Sequence, residues 1–253
     1  MKLATEVRLL LWRKLLETLR QPVWVVVGLS TPLLYLALFA PLLHGLAGGP
    51  GFTRGDVLDV FVPGILALMA FSGSQGSGWV VIWELNSGVI ERLCVTPVSR
   101  FALLLGGVLR DVLMVIVPAL IVVGVAIPFG YHPHWAGIAV LMALLALVSA
   151  ATSATSGTLG LILREIGSLA SIVVGITLPL TLLSGVLLPL SLAPQWMRVV
   201  AHLNPLYYAV EAARSLSEGT IGSWAVGQGF LVLGGLVVVT LWWATRTYRK
   251  AVA

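Results

Sequence analysis

The stretch "WELNSGVIERLCVTPVSR", residues 83–100, is a compact charged segment in an otherwise apolar chain. Glu91 and Arg92 stand side by side within it, whereas the neighbouring runs 60–83 and 112–163 contain no Asp, Glu, Lys or Arg. Charged residues are costly inside a bilayer and collect in the loops that join its spans. The pattern therefore predicts an aqueous loop between two membrane-spanning helices.

The composition of the whole chain supports this interpretation. Of its 253 residues, 58% are hydrophobic and 10% are charged, and the mean hydropathy is +1.02. A soluble domain carries about 25% charged residues and could not bury so much apolar surface. The formal net charge of +5 is compatible with nucleic-acid binding, but basic residues at membrane edges explain it better. The single cysteine excludes an internal disulfide and a cysteine metal cluster. We therefore expect an integral membrane protein without a nucleic-acid partner.

Uncharged runs long enough to cross a bilayer predict an all-α protein with six transmembrane helices. Turn residues in "PFGYHPHW", residues 128–135, divide the longest run into two spans. The predicted spans are 23–43, 58–82, 103–128, 135–162, 167–190 and 225–245. Neither a repeat nor a linker divides the chain, so we expect residues 1–253 to form one transmembrane domain.

The distribution of basic residues predicts the orientation of these spans. An even number of spans puts both termini on one side. That side would hold twelve of the Lys and Arg residues, and the other would hold Arg54, Arg198 and Arg214. Because cytoplasmic loops carry the excess of positive charge, both termini are predicted to be cytoplasmic, in a multi-pass protein of the cell membrane.

Residues 1–21 are predicted to form an amphipathic helix at the inner membrane surface, ended by Pro22. One predicted face is apolar and the opposite face is mainly charged. The apolar face holds Leu3, Ala4, Val7, Leu10, Leu11 and Leu15, and the polar face holds Lys2, Glu6, Arg13, Glu17 and Arg20. Two roles remain open, a membrane anchor and a docking surface for a protein partner.

The charged segment 83–100 is longer than a plain turn requires. Ser87 and Gly88 can end the second span, residues 89–95 could form a short helix, and Pro97 would close it. Its charged and apolar residues are suited to a groove on another protein. From the residues alone, partner docking and an ordinary connector stay equally open.

The same segment resembles the cytoplasmic loop of ABC-2 type transporter permeases, the membrane subunits of ATP-driven exporters. The matching residues are Glu84, Gly88, Glu91, Arg92, Leu93, Thr96, Pro97, Val98, Ser99 and Arg100. The stretch 182–216 resembles the family's segment between spans 5 and 6, with Ser184, Gly185, Pro189, Pro194, Trp196, Asn204, Pro205, Tyr208, Glu211 and Arg214. Together with the six-span plan, the resemblance covers nearly the whole chain and is strongest to the daunorubicin-resistance permease type.

The resemblance implies that residues 88–97 form a coupling helix held by a separate nucleotide-binding ATPase subunit. Glu91 and Arg92 would pair with charges on that subunit, and Ile90 and Leu93 would supply the buried contact. The expected coupling residues are Glu84, Gly88, Ile90, Glu91, Arg92, Leu93, Pro97 and Arg100. ATP and Mg would be bound by the partner. In this chain the phosphate loop is missing, because Lys2, Lys14 and Lys250 do not follow a glycine.

Residues 188–218 are expected to form two short extracellular re-entrant helices, because neither piece is long enough to span. Two roles stay open, an exit gate and a structural cap. The candidate gate residues are Trp196, Asn204, Pro205, Tyr208, Glu211 and Arg214.

Weakly polar residues inside the spans have two interpretations. Ser72, Gln75 and Ser153 could line a substrate path, although small-residue helix packing is the plainer reading. His132 and His134 lack a third ligand nearby in sequence, so no metal site is predicted.

These observations lead to one expected function and two rivals. We expect the permease subunit of an ATP-driven exporter for a hydrophobic or amphipathic drug, antibiotic or lipid-like compound. It would work with a second permease copy, as a homodimer or with a related permease. An ion-coupled secondary transporter or channel would need ionisable groups at mid-membrane, and a membrane enzyme would need a cluster of His or carboxylates.

Overall fold

The computed structural model describes residues 3–20, scattered positions between 23 and 38, and residues 56–95, 98–132, 134–186 and 194–251. The regular elements in these ranges are helices. They are α1 (Leu3–Leu19), α2 (Asp56–Ser74), α3 (Ser77–Asn86), α4 (Val89–Cys94), α5 (Arg100–Ala126), a 3₁₀ turn (Ile127–Phe129), α6 (Trp135–Leu163), α7 (Ile166–Leu182), α8 (Gln195–Ala201), α9 (Pro205–Ser217) and α10 (Trp224–Ala251).

Four stretches of the described chain are long and apolar enough to cross a membrane. They are Phe61–Asn86, Arg100–Phe129, Trp135–Leu163 and Trp224–Arg249. They coincide with the second, third, fourth and sixth predicted spans, so a multi-pass all-helical protein is confirmed. The apolar helix α7 covers the first part of the fifth. The first predicted span, 23–43, and the end of the fifth lie partly outside the described residues, so the six-span arrangement stays a prediction.

The second predicted span is interrupted. Gln75 and Gly76 form a turn between α2 and α3, where the sequence predicts one helix over 58–82. Ser156 of α6 compensates for the lost helical hydrogen bonds: its hydroxyl donates to the Gln75 carbonyl (2.5 Å) and accepts from the Gly78 N–H (3.1 Å). A side chain of a neighbouring helix thus satisfies the backbone groups that the break leaves unpaired.

Helix α6 is the centre of the bundle and packs against α2, α3, α5, α9 and α10. It is apolar on all sides, as a helix surrounded by others must be. Leu141, Leu144 and Leu145 have no exposed surface. At its crossing with α3 the backbones nearly touch, since a Cβ on Gly160 would lie 2.5 Å from the Gly78 carbonyl oxygen.

One end of the bundle carries α1, α4, the start of α5 and the end of α10, and we call it the charged end. Arg100 at the start of α5 donates a hydrogen bond (2.8 Å) to the Arg249 carbonyl near the end of α10. Helix α1 packs along the first turns of α5. The N-terminal helix and the last described residues therefore lie at the same end, as an even number of spans requires.

Helix α1 turns a different face to the bundle from the one the sequence predicts. Leu10 is buried against Ala102 and Leu103 as expected, but Leu3 and Ala4 are exposed. Glu6, predicted on the polar face, is 5% exposed. A second apolar stripe remains exposed, and it consists of Leu9, Trp12, Leu16 and Leu19. A helical wheel could not separate these faces, because α1 is apolar on two sides and its packing against α5 covers only one of them among the described residues.

Candidate functional site

The most distinctive feature of the charged end is α4, a helix of six residues. It follows Gly88, whose φ of +68° lies in the left-handed region that glycine adopts without strain. This residue ends α3 and redirects the chain into α4, so the short helix predicted at 89–95 is confirmed in the structure. Pro97, expected to close it, lies outside the described residues.

The side chains of α4 divide between the bundle and the exterior. Ile90 is 5% exposed and packs in a buried cluster with Leu104, Val108 and Tyr248. Glu91 and Arg92 are exposed, and Val95, directly after the helix, is 88% exposed.

Leu93 also packs against its own chain, beside Leu10 and Ala102. The resemblance implied that Ile90 and Leu93 would supply the buried contact with a partner, but they hold α4 to the bundle. The apolar side chains of this short helix are buried against its own bundle. Glu91, Arg92 and Val95 are therefore the residues that form its outward surface.

Glu84 stands in the last turn of α3, two residues before its end, and is tied to the N-terminal helix. The Lys14 ammonium lies 2.9 Å from a Glu84 carboxylate oxygen, and the two side chains are 11% and 7% exposed. The sequence analysis counted Glu84 among the coupling residues, and that role stays a prediction. The contact observed for it is internal, between α1 and α3.

A second buried ion pair lies in α5 and was not predicted as a site. Asp111 accepts hydrogen bonds from Arg110 (2.6 Å) and from the Ser153 hydroxyl of α6 (2.5 Å). The Ser153 hydroxyl also lies 3.2 Å from the Ser77 hydroxyl of α3, and Arg110 donates to Thr18 of α1 (3.0 Å). The sequence signal was available, since Arg110 and Asp111 interrupt an apolar helix opposite two serine-rich stretches.

Together, Lys14, Glu84, Arg110 and Asp111 form what we call the ionic network. Lys14, Arg110 and Asp111 line, with Tyr248 of α10, a cavity of about 20 Å³, which is room for about one water molecule. The two acids and two bases balance, as buried charges require. Lys14 and Glu84 connect α1 directly to α3, on which α4 is mounted, and Arg110 connects α5 to α1 through Thr18.

The three candidate path residues do not share one surface in the described chain. Ser72 is exposed, and Gln75 at the helix break is half-buried and accepts a hydrogen bond from Thr177 of α7 (2.9 Å). Ser153 is 1% exposed, because it belongs to the hydrogen bonds around Asp111. A path between α2, α3 and α7 would therefore include Gln75 rather than Ser153.

At the opposite end, the two predicted short helices are present as α8 and α9, separated near Asn204. Asn204 caps α9, accepting from the Leu206 N–H (2.9 Å) and donating to the Leu180 carbonyl of α7 (2.6 Å). Arg214 donates to the Gly185 carbonyl (2.7 Å). Both side chains therefore anchor α9 to the end of α7.

The other candidate gate residues are less enclosed. Trp196 on α8 is 66% exposed, Tyr208 is half-buried, and Glu211 lies 3.4 Å from Arg214. Pro205 takes the first helical position of α9, where a missing N–H costs nothing. Residues 188–193 of the predicted segment 188–218 lie outside the described residues. The gate role and the re-entrant position stay predictions.

Glu6 joins α1 to the start of α5. Its carboxylate accepts a hydrogen bond from the Ser99 backbone N–H at 3.0 Å. This bond favours the charged carboxylate and lowers the pKa of Glu6, against a smaller opposing effect of burial. The Ser99 hydroxyl in turn caps α5 by accepting from the Ala102 N–H. Among the described residues, three or more His, Cys, Asp or Glu side chains do not converge on a metal-binding arrangement.

Comparison with known proteins supplies the context for this geometry. Residues 5–217 match the model of the ABC-2 type transporter family. The protein named transport permease ycf38 of Cyanophora paradoxa is 28% identical over 242 residues, covering 90% of this chain and 83% of that protein. The daunorubicin resistance ABC transporter permease protein DrrB1 of Streptomyces coeruleorubidus is 26% identical over 242 residues, covering 95% and 84%.

Proposed function

Since the chain belongs to the ABC-2 type transporter family, whose members work with an ATP-binding subunit, we propose that it is the permease subunit of an ATP-driven exporter. A separate ATPase would bind ATP and Mg and drive the permease from the charged end. That end would then face the cytoplasm of the cell, in line with the excess of basic residues in the segments that meet there.

The observation that supports this proposal best is the division of α4 into an anchored side and an outward side. Ile90 fixes the helix in the cluster shared with α5 and α10, while Glu91, Arg92 and Val95 face outward. Charged groups around an apolar contact give orientation and specificity to a protein interface. A force applied to α4 would pass through Gly88 into α3.

From α3 the displacement has two routes into the membrane domain. Lys14 bound to Glu84 carries it to α1. The close crossing at Gly78 and Gly160 carries it to α6 at the centre of the bundle. The break at Gln75 separates α3 from α2, so α3 can tilt while α2 stays packed.

The cargo we propose is a hydrophobic or amphipathic compound such as a drug, an antibiotic or a lipid-like molecule. The path would include the weakly polar surface around Ser72 and Gln75 and would be completed by a second permease copy. The relative named for daunorubicin resistance is compatible with such a cargo. Helices α8 and α9 would close the exit at the far end.

The experiment is coupled turnover of the permease with its ATPase subunit in proteoliposomes. Glu91→Ala combined with Arg92→Ala should lower drug-stimulated ATPase activity at least tenfold and weaken co-purification of the subunit. The matched control removes the same charges from exposed positions at the other end, with Glu218→Ala and Arg198→Ala. Equal loss in both double variants, or full transport without an ATPase, would contradict the proposal.

One observation favours the ion-coupled alternative, namely the buried carboxylate of Asp111. Buried acids in membrane helices often carry protons or ions. Both Asp111 oxygens, however, are engaged, one by Arg110 and the other by Ser153, although the pair lies near the middle of α5. Transport driven by a proton gradient without ATP, and abolished in Asp111→Asn, would favour this alternative.

A further inference from the structure

A shallow groove runs between α1 and the junction of α3 with α4, at the charged end. It has a volume of about 510 Å³, within the range of ligand-binding sites. One wall is the exposed apolar stripe of α1, of which Leu9, Trp12 and Leu16 line the groove, and Trp83 stands on the opposite wall. Trp12 and Trp83 are 63% and 55% exposed, so both indole rings are open to a ligand.

Two guanidinium groups lie in the same groove beside this apolar surface. Arg13 and Arg20 line it together with a single acid, Glu17, so the lining carries an excess of positive charge. The other acid of α1, Glu6, is occupied elsewhere by the Ser99 N–H. An occupant that matches the groove therefore combines an anionic head with an apolar body.

The position of α1 beside the spans indicates where such an occupant comes from. Early residues of α1 contact the start of α5 and later residues contact later ones: Glu6 bonds to Ser99, and Thr18 bonds to Arg110. Helix α1 thus runs alongside a spanning helix rather than across its end. Further along the chain, Val23 and Val26 are also exposed. Trp residues are enriched at the bilayer surface, where one part of the ring meets headgroups and another meets acyl chains.

We propose that the groove is a binding site for an anionic phospholipid. The phosphate lies between Arg13 and Arg20, and an acyl chain lies along Leu16, Trp12 and Trp83. Charge and apolar contact act together here, which is the combination that holds molecules stably at a membrane surface. Since Val89 also lines the groove, the bound lipid touches the first residue of α4.

The test measures lipid retention on the purified full chain by native mass spectrometry. Dioleoyl phosphatidylglycerol is compared with dioleoyl phosphatidylcholine, which has the same chains and no net charge. We expect phosphatidylglycerol to be retained in preference. Replacing either arginine by Gln should weaken its binding about fivefold, and replacing both should weaken it about thirtyfold.

Two variants provide controls. Arg8→Gln removes the same charge from an exposed position of α1 outside the groove, and it should leave retention unchanged. Arg13→Lys with Arg20→Lys keeps the charge and should keep most of the binding, which shows that the helix is folded.

Three results would overturn the proposal. They are equal retention of the two lipids, an equal loss in Arg8→Gln, and unchanged retention when both groove arginines are replaced by Gln. If the last result came with weaker capture of the ATPase subunit, the groove would be a protein-docking surface instead.

Discussion

Breaking the Lys14–Glu84 ion pair tests whether α1 is fastened to α3 as the structure has it. The two side chains are 2.9 Å apart and at most 11% exposed, so removing one leaves the other charge buried without its partner. Loss of one member of a buried pair costs about 3 to 5 kcal/mol. At the lower end of that range, Lys14→Met should lower the free energy of unfolding by about 3 kcal/mol.

The assay is thermal unfolding of the purified chain in detergent, followed by intrinsic fluorescence. For a chain of this size, about 3 kcal/mol corresponds to a fall in Tm of roughly 6 to 12 °C. The Tm of Glu84→Met should fall by a similar amount. The free energy of unfolding of the double variant should stay within about 1 kcal/mol of the parent, because apolar pairs of similar volume replace buried ion pairs well.

The double-mutant cycle decides between pairing and simple loss of packing. Additive effects of Lys14→Met and Glu84→Met would refute the buried pair, because independent contacts add and coupled ones do not. Arg8→Met is the control: the side chain is exposed on the same helix, and its loss should change stability by less than about 0.5 kcal/mol.

Two further predictions concern the contact between α1 and α5. Gly106→Ala should destabilise the chain by about 1 to 3 kcal/mol in the same melting assay, because the new Cβ would lie 2.9 Å from the Leu10 Cβ. Gly107→Ala should not, because its Cβ would make only an ordinary van der Waals contact, 3.8 Å from the Lys14 Nζ, and equal effects of the two substitutions would contradict this packing. The Ser99 N–H lowers the pKa of Glu6, so the stabilising contribution of the carboxylate is fully present above its unfolded pKa and is lost as the pH falls through the folded value. Amide hydrogen exchange of residues 3–19, measured from pH 7 down to pH 3 and corrected for intrinsic rates, should therefore show that α1 loses protection at the acid end. Glu6→Gln should remove that pH dependence. An identical pH profile in the variant would count against the hydrogen bond between Glu6 and the Ser99 N–H.

The sequence predicted those parts of the fold that depend on composition and spacing. Long uncharged runs located the four described spans, and Gly88 marked the turn into α4 because few other residues adopt its positive φ. Asn204 followed by Pro205 marked the start of α9 for a similar local reason, the pairing of a cap with a first-turn proline.

The parts that sequence reasoning missed depend on partners far away in the chain. The break at Gln75 is stabilised by Ser156, and the burial of Asp111 by Ser153, each from another helix. A periodicity within one segment carries no information about such partners. The same limit applies to Ile90, whose packing against α5 and α10 could not be read from its own segment; its coupling role stays a prediction.

The contacts of α1 also order events during synthesis. Glu6 and Lys14 meet their partners 93 and 70 residues further along the chain. At about 5 to 20 residues per second, the first helix waits roughly 4 to 20 seconds before its docking site exists. If the hairpin that contains Glu84 entered the bilayer upside down, Lys14 and Glu84 would end on opposite sides of the membrane and could not pair. Helix α1 is thus made before the hairpin that contains Glu84 and docks after it, and this docking reports that the hairpin was inserted the right way round.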